Sequence, residues 1–204
     1  MFKNKKIILL LSFVFIISAF AGAFAARIKV YKPDPQNLSV KTIEYLNELR
    51  KLNGLKPVAR DKTAESVAEK RAQYQNGNFL THNGLKAALK EIENSNYATE
   101  NLAFIYRKKY NSDDEMARDL IMQWYEDKDI ANKGHRKQML NPLYDIAGVG
   151  IKEGKDNMYY ISMVLASTTT MPLTKEISDQ INEFYNYFET DGAKDSIPLP
   201  PPSK

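Results

Sequence analysis

The chain contains no cysteine, yet it opens with the features of an export signal. Three lysines lie within the first six residues, residues 7–20 are almost wholly apolar, and Ala23-Phe24-Ala25 offers small side chains where a signal peptidase cuts. Exported proteins often rely on disulfides, and this one has to do without them. Residues 26–204 are long enough to bury one core of ordinary size, so the fold must close by side-chain packing alone. Thiol catalysis, cysteine-ligated metals and a lipoprotein anchor are excluded by the same absence.

The apolar run at the start falls short of the roughly 20 residues that a membrane-spanning helix needs. Cleavage after Ala25 is therefore the expectation, leaving no transmembrane domain and an extracellular, cell-surface or periplasmic protein. The formal charge of +4 belongs mostly to the signal. Without Lys3, Lys5 and Lys6, 26 of the 29 basic residues remain against 25 acidic ones, a balance that provides no clustered positive field for nucleic acid.

Residues 26–38, with Pro33 and Pro35, read as an extended lead-in. From Ser39 the apolar residues Val40, Ile43, Leu46, Leu49 and Leu52 recur at helical spacing, and Gly54 supplies a stop. Asp61 is placed to cap a second helix that Asn76-Gly77 closes. A turn through His82 leads to a short helix over residues 85–93, followed by an irregular segment that delivers Glu100. Ser112 and Glu115 form a capping-box pattern ahead of a strong helix bearing Met116, Leu120, Ile121 and Trp124. Residues 145–151 and 158–165, rich in β-branched and aromatic side chains, predict a β-hairpin. A further amphipathic helix within residues 171–192 starts at Thr174 and presents Ile177, Ile181, Phe184, Tyr185 and Phe188, a face wide enough to need a partner. Residues 193–204 form a proline-rich tail, expected to be solvated and able to engage a partner.

Trp124 is the only tryptophan, and His82 and His135 are the only histidines. Trp124 reads as core, since large aromatics on such a stripe usually pack inward. Imidazole alone titrates near neutrality without perturbation, so two histidines raise the question of one shared site. Asn101 reads as a structural hydrogen-bonding residue and Arg136 as a member of a surface ion pair. Ser162 and Ser167 lack a nucleophile-elbow setting, which discounts a serine hydrolase.

Eight short segments stand in a suggestive order: Leu46-Asn47-Glu48-Leu49-Arg50, Asn53-Gly54-Leu55-Lys56-Pro57, Arg71-Ala72, His82-Asn83-Gly84, Glu100-Asn101-Leu102-Ala103, Gly134-His135-Arg136 with Leu140-Asn141-Pro142, Gly148-Val149-Gly150 and Tyr159-Tyr160. Together they resemble the CAP superfamily, which groups cysteine-rich secretory proteins, antigen 5 and pathogenesis-related proteins, and in particular its bacterial SCP-like branch. The resemblance covers Val40 to Ala166 and implies a domain over residues 39–170. It implies an α+β fold, a three-layer α-β-α sandwich with a small antiparallel sheet, here with an appended C-terminal amphipathic helix. It also implies a cleft where two histidines meet two acids. His82 and His135 match the histidines and Glu100 the first acid. Asp127 matches the second, with Glu126 as the fallback. Two departures stand out: Thr99 replaces a glycine, and the connection from Asp127 to Lys133 is long.

Two imidazoles with one or two carboxylates and water can form a first shell for Zn²⁺ or another divalent metal, His82 and His135 being the metal ligands. Three functions follow from the resemblance and the residues. The favoured one is a secreted, non-enzymatic binding module that engages a lipid or protein ligand through the cleft. The second is a metal-dependent hydrolase of peptide or cell-envelope substrates with Glu100 as general base. The third is a structural envelope protein whose C-terminal helix and tail dock to a partner.

Overall fold

The computed structural model describes residues 31–75, 80–92, 95, 97–107, 109–128, 133–169, 172 and 174–190. The expected signal, the first part of the lead-in, the Asn76-Gly77 stop and the proline-rich tail lie outside these residues. Helix α1, Pro35–Leu52, begins earlier than its apolar spacing indicates. The Asp34 carboxylate accepts from the amides of Gln36 and Asn37, and Pro35 occupies the first helical turn, where a missing amide costs nothing. Its buried face carries Leu38, Ile43, Tyr45, Leu46 and Leu49, whereas Leu52 is 54% exposed.

Strand β1, Ala59–Arg60, precedes helix α2, Lys62–Tyr74, which Asp61 caps through the amide of Ala64 as the sequence predicts. Helix α3, Leu85–Leu89, is shorter than expected. Strand β2, Ala98–Tyr106, is the main departure, because an irregular segment was the expectation at its start. Glu100 and Asn101 hide its strand character, and a full-length ladder with a later strand overrides their weak local preference. Helix α4, Asp113–Glu126, begins at Ser112, whose hydroxyl accepts from the Glu115 amide, while Glu115 reaches back to the amide of Asn111. Helix α5, Gly134–Met139, the hairpin strands β3, Ile146–Glu153, and β4, Met158–Ala166, and helix α6, Lys175–Thr190, complete the order. Thr174 caps α6 through the Ile177 amide.

The four strands align in the order β1-β3-β4-β2. Pairing is antiparallel throughout except for the short parallel contact of β1 with β3. Alternation along the strands divides the side chains between two cores. Ala103, Ile105, Val149, Ile161, Met163 and Leu165 join α1 and α4, with Trp124, in the larger one. Ile146, Val164 and Ala166 meet Ala64, Val67 and Ala68 of α2 in the smaller one. The result is the expected α-β-α sandwich.

Two contacts hold these layers in place. A Cβ added at Gly148 would lie 2.1 Å from the Glu65 backbone nitrogen, and one at Gly150 would lie 2.2 Å from that of Glu69. The α2 backbone therefore rests directly on β3, which only glycine permits. On the opposite side, Arg50 is completely buried, and among the described residues it forms no ion pair with a carboxylate. Its guanidinium donates to the carbonyls of Lys56, Met139, Asn141 and Tyr144 at 2.8–3.1 Å, tying the end of α1 to the chain between α5 and β3. Burial pulls this guanidinium down to about 10, so it stays cationic at neutral pH.

Gly148→Ala should destabilise the protein by ~3 kcal/mol or more, since backbone opposes the new methyl group and cannot yield as a side chain would. The midpoint and slope of urea unfolding measure this. Arg50→Leu should cost about 3 kcal/mol in the same experiment by stranding several buried carbonyls, and Arg50→Lys should restore little, lacking a planar fork to reach them all.

Candidate functional site

Glu100 enters the sheet from β2 on the side facing α2, across from Val164. Its side chain is 0% exposed, and a buried carboxylate requires a cation and a full set of donors. Arg71, projecting from α2, provides both: Nε lies 2.9 Å from Oε2 and Nη2 lies 2.6 Å from Oε1. Ser162 Oγ donates to Oε2 at 3.3 Å, and His82 Nδ1 lies 3.0 Å from Oε1. The same guanidinium donates to the carbonyls of Thr81 and Asn83, on either side of His82. One turn along α2, the Gln75 amide exchanges two hydrogen bonds with the Thr81 backbone, each 2.8 Å. The turn carrying His82 is thus fastened to α2 by side chains four residues apart.

The second acid sits at the end of α4. Asp127 adopts a left-handed conformation, with φ at 47°, and turns a buried carboxylate toward α5. One oxygen accepts the His135 amide at 2.9 Å, and the other lies 2.8 Å from His135 Nδ1. The long connection does not misplace His135, because Lys133 Nζ donates to the carbonyls of Glu126 and Asp127 at 3.0 and 3.2 Å. A cation at a helix C-terminus meets both the open carbonyls and the negative end of the dipole. Asn101 adds a link from β2 by donating its side-chain amide to the His135 carbonyl at 3.1 Å.

Two histidine–carboxylate pairs result, His82 with Glu100 and His135 with Asp127. Carboxylates only accept, so each Nδ1 carries the hydrogen, and among the described residues no hydrogen bond reaches either Nε2. Glu126, the fallback acid, pairs instead with Lys128 at 2.8 Å. Arg136 forms no surface ion pair: it is buried, stacked over the Tyr125 ring at 4.4 Å, and donates to the Tyr125 carbonyl. A groove of about 470 Å³ opens beside His135, lined by Leu80, Leu102, Phe104, Trp124 and the end of α4. Trp124 forms part of both core and groove, its indole donating to the Leu102 carbonyl at 3.0 Å.

Among the described residues no three histidine or acidic side chains come close enough to hold a metal ion. The donor chemistry agrees, since Glu100 is gripped by Arg71 and Asp127 by His135. The acids orient the rings instead, Glu100 that of His82 and Asp127 that of His135. Glu100 is poorly placed as a general base, for its oxygens are occupied and shielded from water. Arg71, Gln75 and Lys133 were not singled out for the site by sequence reasoning, although an acid directly ahead of the apolar run Leu102-Ala103-Phe104-Ile105 is itself a signal that a cation lies nearby.

A family model described as CAP, the cysteine-rich secretory protein family, matches residues 43–165, more than half of the chain. Among solved structures, the CAP domain of enterococcal PrgA gives a TM-score of 0.52 at 22% identity, covering 71% of this chain and 71% of that one. A cysteine-rich secretory protein from Staphylococcus aureus gives 0.50 at 22% identity over 66% of this chain, which spans only 40% of that protein. An outer surface protein from Borrelia burgdorferi gives 0.50 at 19% identity, covering 67% of this chain and 97% of that one. No curated protein sequence matches the chain. The structural likenesses, at such identities, speak for the fold, and the family model for membership. On its eight ordered segments, its α-β-α sandwich and the residues 43–165 that the family model matches, the chain belongs to the CAP, or cysteine-rich secretory protein, family.

Proposed function

We propose that this protein is an exported CAP module that binds a ligand through its cleft without turning it over, and that His82 and His135 hold Zn²⁺ or a similar divalent ion. One observation carries this reading: both imidazoles spend Nδ1 on a buried carboxylate, and among the described residues no hydrogen bond reaches either Nε2. Such ring orientation by a carboxylate accompanies metal-binding histidines generally. A bound ion would supply a Lewis-acidic centre with positions for water or a ligand atom. Arg71 holds Glu100 in place through two hydrogen bonds, Lys133 fixes the entry of α5, and the groove beside His135 offers an apolar floor. Glu100, the general base of the hydrolytic alternative, has both oxygens engaged by Arg71. The features of the first 25 residues and the secretory character of the family both favour a place outside the cytoplasm, whether extracellular, surface-bound or periplasmic. The ligand class is a lipid or a protein.

Elemental analysis and calorimetry with Zn²⁺ test the metal reading. Wild type should retain or take up the ion, and the double variant His82→Ala, His135→Ala should lose it; equal metal in the two would refute the assignment. Arg71→Met should lower the unfolding free energy by about 3–5 kcal/mol, as Glu100 is left buried without its counter-ion, and chemical denaturation reads this directly.

A further inference from the structure

The open edge of β2 carries a more specific reading of the same cleft. β2 lies at the end of the sheet and pairs only with β4 among the described strands. Its hydrogen-bonding phase is fixed at three points. Tyr97 O accepts from Ser167 and Arg107 N donates to Asn157, so the odd-numbered residues turn their backbone groups toward β4. Leu102 O instead accepts from Trp124, so the even-numbered residues turn theirs outward. Phe104 therefore presents both N–H and C=O away from the sheet, and Tyr106 presents its N–H. Among the described residues no hydrogen bond reaches these three groups, the Tyr106 carbonyl alone being used by Lys109.

The groove lies along this same edge. Ala103, on one face of the sheet, and Leu102 and Phe104, on the other, all line it, an arrangement available only at an open strand edge. Trp124 and Leu80 contribute apolar surface, and Gln123, Glu126, Lys128 and His135 contribute polar groups. Edge strands are ordinarily protected by lysine, proline or bulges. β2 contains neither lysine nor proline, its one charge is neutralised by Arg71, and its outer residues Phe104 and Tyr106 are 52% and 65% exposed.

We propose that the ligand of this cleft is an extended polypeptide segment that adds to β2 at Phe104 and places one side chain in the groove, against Trp124 and Leu102 and beside His135. The outward groups of Phe104 and Tyr106 repeat at the roughly 7 Å interval that only another strand's backbone matches. Main-chain pairing supplies the attachment, and the groove selects the side chain. This rests on the reading of the protein as a cleft-binding module, and it does not depend on the metal.

The probe is a displayed library of random heptapeptides panned against the full exported protein, with the enriched peptide resynthesised carrying one N-methyl group at each position in turn. Strand addition predicts at least a tenfold loss of affinity for N-methylation at alternate residues and little effect between them. It also predicts slowed hydrogen exchange at the Phe104 and Tyr106 amides. Phe104→Pro, which removes an outward amide that β4 does not use, should abolish binding, whereas Phe104→Ala should weaken it. The exchange measurement on wild type decides the matter should the proline variant fold poorly. No enriched peptide, uniform N-methyl sensitivity, unprotected amides, or stoichiometric lipid extracted from a protein that binds no peptide would each overturn the proposal. Peptide binding by a protein that takes up no Zn²⁺ would refute only the metal reading.

Discussion

The backbone of α2 resting on Gly148 and Gly150 is the contact on which the site depends. With no side chain between helix and sheet, α2 is held closer to β3 than ordinary packing allows, and little room is left for it to slide. That placement delivers Arg71 to Glu100 across the sheet and Gln75 to the turn before His82. Packing in the smaller core and electrostatics in the cleft are thus one constraint.

Three of the buried charges, Glu100, Asp127 and Arg50, are each satisfied differently. Glu100 is matched by a bidentate guanidinium, the strongest arrangement available to a carboxylate. Asp127 is held by a backbone amide and an imidazole at a helix end. Arg50 has carbonyls alone, which share its hydrogen bonds among three stretches of chain. Such groups contribute less to net stability than their Coulomb energies imply, because desolvation opposes them. Their effect is on geometry: they fix where α5 starts and how both rings are turned. The protein has no disulfide to do this.

Much of this was legible in the residues. Asp61, Ser112 and Thr174 marked helix starts because their side chains satisfy amides a helix cannot satisfy itself. The hairpin was evident from β-branched and aromatic runs. His82, Glu100, Asp127 and His135 were identified by family resemblance, and each now has a partner. What was missed depends on distant neighbours. The strand through Glu100 exists because β4 pairs along its whole length, and Arg136 is buried because Tyr125 offers a ring and a carbonyl. The early start of α1 follows from Pro35 acting at a first turn instead of breaking a helix.

The sequence by itself determined most of the helices, the hairpin and the family, and it singled out His82, Glu100, Asp127 and His135, because capping, periodicity and ordered motifs are local or cumulative along the chain. Only the tertiary structure decided how those four combine. It joined them as two separate pairs, assigned Arg71 to Glu100, let Lys133 close the long connection, and left the outer edge of β2 without a partner strand among the described residues. Such outcomes turn on which atoms meet across the sheet, and residues as far apart as Arg71 and Glu100 carry no local mark of a contact that forms only when α2 settles on two glycines.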